Sequence, residues 1–130
     1  MNATEARRWL AYARSDLEAA RALLYAPEPF PRQVCFLAQQ TAEKAIKAIL
    51  VYVETVFPFT HDLDRLRDLV PEGWTVKRTH PDLAELTIWA TEARYPGVMA
   101  EVAVSEAQNA LDIATALYQV VECDLEGCCQ

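Results

Sequence analysis

The sequence predicts an all-α fold: an up-and-down bundle of three long helices with two short ones at one end. Three observations predict it. Only three glycines occur in 130 residues, and the chain is rich in Ala, Leu and Glu, a balance that favours helix over sheet. Two long stretches repeat apolar residues by four and three, the seam of a helix packed on one side. Proline-containing breaks separate the periodic stretches and leave connections short enough for antiparallel neighbours.

The first helix is expected from about Thr4 to Tyr25. Its seam is Ala6, Leu10, Ala13, Leu17, Ala20 and Leu24. The stretch APEPFPR (26–32) stops it, because three prolines fix φ and remove donors. The second helix spans about Arg32 to Val56, and FPFTHD (57–62) ends it. A short third helix follows from about Asp62 to Leu69, with Leu63, Leu66 and Leu69 on one side and Thr60 or Asp62 as its cap. PEGWTVKR (71–78) reads as a loop. Pro81 suits the first turn of a fourth helix, about Pro81 to Ala93, which RYPGV (94–98) ends.

The last helix is expected from about Ser105 to Leu125, with Ser105 and Gln108 spaced as a capping box. Its seam is Ala107, Leu111, Ala114, Tyr118, Val121 and Leu125. Its opposite stripe is Gln108, Asp112, Thr115, Gln119, Glu122 and Glu126. From about residue 126 a frayed tail is expected. At this length residues 1–130 make one domain with a core of its own.

Charge is unevenly placed. The net value is −7, yet all 12 Lys and Arg lie in residues 1–94. An acidic chain is a poor generic nucleic-acid binder, although a local basic stripe can still hold phosphate. Residues 1–10 lack an apolar signal core, and the run AILVYV is too short to span a bilayer. No membrane role and a cytoplasmic location are therefore expected. The four cysteines should then be reduced. Cys123, Cys128 and Cys129 crowd the C-terminus without a fourth ligand or a metal-site spacing, and their role is open. No phosphate loop, dinucleotide-binding or zinc-protease motif occurs, so no cofactor or metal is expected.

The second helix carries the functional question. At 100° per residue, Gln39, Gln40, Glu43, Lys44 and Lys47 share an arc of roughly 140°. Most of the remaining circumference is apolar, so this helix is central. A solvated face with a Glu43–Lys47 pair is the simple explanation. A surface for a ligand or a second chain is the other, since amides donate and accept and lysines attract phosphate.

The stretch CFLAQQTAEKAIKAIL (35–50) resembles the signature helix of the HEPN family (higher eukaryotes and prokaryotes nucleotide-binding). ARSDLEAARALL (13–24), FTHDLDRL (59–66), EARYPG (92–97) and ALDIATAL (110–117) follow the family in order, so nearly the whole chain takes part. The resemblance implies a compact helical bundle that pairs into homodimers. It also implies a nucleotidyltransferase-like partner protein in a toxin–antitoxin-like pair. The catalytic branch of the family cuts RNA without metal, using Arg, four to six residues, then His. Here His61 would need Arg at 54–56 and finds Glu54, Thr55 and Val56. His80 would need it at 73–75 and finds Gly73, Trp74 and Thr75.

A non-catalytic binding or regulatory module is therefore the leading expectation. Gln40, Glu43, Lys44, Lys47, His61, Arg94 and Tyr95 are its candidate ligand-binding residues. Lys44, Lys47 and Arg94 would supply positive charge for a nucleotide or RNA. The alternatives are a ribonuclease toxin with a non-standard centre at His61 and Arg94, and a purely structural dimerisation scaffold. His80 is expected on the surface. Arg7, Arg14 and Arg21 recur every seven residues, as a solvated stripe or one that meets the acidic stripe of another subunit's last helix.

Overall fold

The structure is a computed structural model, and it describes residues 1–90 and 101–127. Among them no strand occurs. The long helices are α1 (Ala3–Leu24), α2 (Pro31–Tyr52) and α6 (Val104–Glu126). Between the last two lie α3 (Leu63–Asp68), α4 (Thr75–Thr79), α5 (Ala84–Thr87) and a 3-10 turn, Ile88–Ala90. The all-α bundle is as expected.

Helix α2 is the hub. It packs along α1 on one side and α6 on another, while α3, α5 and the 3-10 turn abut it. All six α1 seam residues, Ala6 to Leu24, are buried against this hub. In α6 the seam holds from Ala107 to Val121, and Leu125 is half-buried. Alanines are the points of close approach: Ala13, Ala20, Ala38, Ala42, Ala45 and Ala114 are fully buried.

Helix α2 ends four residues sooner than expected. The run after Leu50 is rich in β-branched residues, which lose rotamer freedom in a helix. Glu54 adopts a left-handed conformation, φ 61°. The Thr55 N–H then bonds the Leu50 carbonyl and the Glu54 N–H the Val51 carbonyl, a Schellman closure with Glu54 where glycine is usual.

Three further boundaries differ. Residues 71–78 are not all loop, since Thr75–Thr79 is helical. The Thr75 N–H and hydroxyl are both bonded to the Asp124 carboxylate of α6, a cap supplied from across the fold. The fourth helix starts at Ala84 rather than Pro81. The N–H groups of Leu83 and Ala84 go instead to the side chains of Asp64 and Asp82. Helix α6 starts at Val104, ahead of the expected Ser105 cap; the Glu106 carboxylate accepts the Ala103 N–H. In α3, Asp62 is the cap as expected, with its carboxylate accepting the Arg65 N–H. Leu69 is exposed, however, and Val70 takes the core position.

Arg67 fastens this short-helix end. Its guanidinium is buried and donates to Asp64, to Asp68 and to the His80 carbonyl. His80 is half-buried, not on the surface as expected, and burial pulls its imidazole below the ordinary value.

The arginine stripe of α1 meets α6 of the same chain. Arg7 lies 3.8 Å from Glu126, and Arg14 pairs with Glu18 in the field of Tyr118 and Glu122. Helix α6 closes on Gly127 in the left-handed region. Cys123 is disulfide-bonded, against the expectation of reduced thiols, which rested on compartment alone and not on geometry. Cys35 is a free thiol buried in the core, and burial pushes it up to about 12. Cys128 and Cys129 lie outside the described residues.

Candidate functional site

The polar arc of α2 does not face bulk solvent. Gln39 is fully buried, Glu43 is 5% exposed and Lys47 9% exposed. One helical turn separates each from the next, so the three stack along one line of α2. Helix α1 flanks this line, and the segment 57–61 passes beside it.

Glu43 is the centre. One carboxylate oxygen accepts from Lys47 Nζ at 2.8 Å. The other accepts from Gln39 Nε2 at 3.1 Å and lies 2.9 Å from His61 Nδ1. Gln39 Nε2 also reaches the His61 backbone carbonyl at 3.2 Å, and its Oε1 accepts from Gln40 Nε2 at 2.7 Å. The network is closed: every buried side-chain polar atom among the described residues has a partner. That matters because an unpaired charge here would carry a large desolvation penalty.

Lys47 is held by more than its carboxylate. Its ammonium lies 5.8 Å from the Trp9 ring centre and 5.5 Å from that of Phe57. Those rings meet edge to face at 6.4 Å. The cation therefore sits beneath an aromatic roof, where ring faces attract it. Lys44, at the outer edge of the arc, pairs with Asp16 of α1.

The electrostatics follow from this geometry. Burial alone would push the Glu43 carboxyl up. Hydrogen bonds from Lys47, His61 and Gln39 outweigh burial and hold it below its ordinary value. An ionised carboxylate only accepts, so His61 Nδ1 must be the donor. The ring's other nitrogen, Nε2, takes no part in the bond to Glu43, and the His61 side chain is 34% exposed. Phe59 packs edge-on against the same ring, centres 5.8 Å apart.

A pH dependence follows. Glu43 is lowered in the fold, so its contribution is complete above the ordinary value of 4.5 and is lost as pH falls from there through the folded-state value. His80 acts with the same sign in a higher window, since its neutral form is favoured in the fold and stability falls as pH drops below 6.5. Urea unfolding at stepped pH is expected to show a decline below pH 4.5 that is shallower in Glu43→Gln.

Of the expected site residues, the structure brings together Gln40, Glu43, Lys44, Lys47 and His61. Arg94 and Tyr95 lie outside the described residues. Four participants lie outside the candidate ligand-binding set, although Gln39 was already named in the polar arc. Gln39, not Gln40, is the buried amide that links Glu43 to the backbone of His61. Asp16, Trp9 and Phe57 provide the wall and roof. The aromatic pair FPF just before THD was the available signal for Phe57. A groove of about 150 Å³ lies between the 3-10 turn and α6, lined by Glu85, Leu86, Trp89, Glu106 and Asn109 among others. Among its described lining residues two are carboxylates and none is a cation. Among the described residues no cluster of His, Cys, Asp and Glu could hold a metal, and no helix is long and apolar enough to cross a membrane.

A family model for the HEPN domain matches residues 6–124. The chain belongs to the HEPN family. Its α2 network lies inside the matched region. Among solved structures, the crystal structure of TT1696 from Thermus thermophilus is similar. It is 29% identical, with a TM-score of 0.77 over 90% of this chain and 95% of that one. No curated protein matches the chain. The match establishes the HEPN fold for these helices.

Proposed function

We propose that this chain is a non-catalytic HEPN-type binding and regulatory module, homodimeric in solution. Its ligand is a nucleotide, or its partner a nucleotidyltransferase-like protein in a toxin–antitoxin-like pair. One observation carries the reading: the closed Gln39–Glu43–Lys47–His61 network. Its groups are consumed by one another, so they build a rigid wall rather than a reacting centre. The wall presents the His61 ring edge, Gln40 and the Lys44–Asp16 pair toward solvent. Lys44 is the cation best placed to meet phosphate, because Lys47 is roofed by Trp9 and Phe57. In this reading Arg94 and Tyr95 add to the same face, Arg94 by forking onto phosphate.

Calorimetric titration with ATP, GTP and their monophosphates tests this, alongside pull-down with a co-encoded nucleotidyltransferase-like protein. The expected result is binding to one of them, weakened about tenfold or more by Lys44→Ala, the order of effect of losing a hydrogen bond to a charged group. Absence of binding to every one of these sinks the reading.

A second reading is favoured by the His61–Glu43 pair. A buried carboxylate on Nδ1 leaves Nε2 as a general base, the arrangement of a carboxylate-oriented histidine in acyl and phosphoryl chemistry. On that reading the protein is a metal-independent ribonuclease with a displaced centre at His61 and Arg94. Incubation with RNA separates the two. Cleavage that disappears in both His61→Ala and Arg94→Ala favours the enzyme; no cleavage, or cleavage that persists in either variant, removes it.

A further inference from the structure

Two apolar side chains of the connection after α2 are almost wholly exposed. Val56 is 92% exposed and Phe59 94% exposed, although both sit in a short connection between packed helices. Tyr12, one turn beyond Trp9 on α1, is 65% exposed. Trp9, Tyr12 and Asp16 lie on the flank of α1 opposite the arginines that meet α6, at 100° per residue. Asp16 pairs with Lys44, Trp9 meets Phe57, and Phe59 meets His61. The α1 flank, the outer edge of the α2 arc and the segment 56–61 are thus one face, the side of α2 that α6 does not cover.

We infer that this face is where a second copy of the chain docks, with Val56 and Phe59 as its anchors. The inference rests on the homodimer part of the proposed function and names its surface. Charge selects the occupant. The chain carries −7, and a copy of itself must be met without confronting like charges. Helix α6 is unsuited to that, since residues 95–130 hold six acids and no Lys or Arg, and the α1 arginines already serve them within the chain. Two ion pairs balance the described part of the α1–α2 face: Asp16 meets Lys44 and Glu43 meets Lys47. A neutral, aromatic surface on an acidic protein fits a self-complementary contact. Its size is also suitable. Two exposed aromatic rings bring on the order of 300 Å² of the roughly 800 Å² each partner gives to a standard interface. The ion pairs and Gln40 supply a polar rim.

Sedimentation equilibrium of the full chain tests the assignment, on wild type, Val56→Asp/Phe59→Asp and the α6 control Asp112→Lys. Both anchor positions are exposed, so helical circular dichroism is expected to be unchanged in the monomeric variant. Wild type and Asp112→Lys are expected to be dimers. The anchor variant is expected to dissociate about a hundredfold more readily, the scale of losing central apolar anchors. A dimer of unchanged affinity in Val56→Asp/Phe59→Asp overturns the face and leaves the dimer itself standing. Wild type that stays monomeric at millimolar concentration overturns both.

Discussion

Glu43→Ala is expected to destabilise the protein by about 3–5 kcal/mol, the cost of leaving a buried charge without its partner. On a chain of 130 residues that is a fall in Tm of roughly 10–20 °C. The removed side chain is small, so packing loss alone does not account for such an effect. What remains is the Lys47 ammonium, 9% exposed under Trp9 and Phe57, with no carboxylate to meet it. Gln39 and His61 lose their acceptor as well. The double variant Glu43→Ala/Lys47→Met is therefore expected to recover most of the loss, because Met restores the apolar stem without the charge. Chemical denaturation of the four proteins of this cycle measures it. Additive losses in the double variant would show that the pair is not coupled.

Arg67→Ala is the second large effect, about 3 kcal/mol. Arg67 is the buried cation of the short-helix end. Its guanidinium neutralises Asp64 and Asp68 and holds the His80 carbonyl, while Asp64 caps the start of the next segment through the Leu83 N–H. Removing it leaves Asp64 charged and half-buried and frees the 80–83 connection from α3. Arg67→Lys is expected to recover less than half of the loss, because a point charge cannot serve two carboxylates and a carbonyl in three directions. Hydrogen exchange should localise the change: amides of 79–87 exchange faster, those of α1 do not. Equal acceleration along α1 would contradict this division.

Periodicity made the long helices legible. Every seam residue of α1 is buried, and the α6 seam is buried as far as Val121. The Asp62 cap was legible because it bonds within four residues. The short-helix end was not, since its decisive contacts are distant in sequence. The α4 helix owes its cap to Asp124, 49 residues away, and α5 starts late because Asp64 takes the Leu83 N–H from 19 residues away. No local pattern carries such pairs. The candidate site was legible in the same measure. The confined polar arc on an otherwise apolar helix marked Glu43 and Lys47 as a set. That they point inward, to His61 and under Trp9, depends on how the 57–61 segment returns across α2. Propensity does not specify that path.

The claim on which the rest depends is that buried, ionised Glu43 holds His61 by Nδ1 and turns its other nitrogen outward. The nitrogen-15 shifts of the His61 ring, recorded by NMR at a pH where the ring is neutral, test it directly. The expected result is a single tautomer with the proton on Nδ1 and a bare Nε2, reverting to averaged shifts in Glu43→Gln. Averaged shifts in the wild-type protein, as for an imidazole in open water, would contradict it.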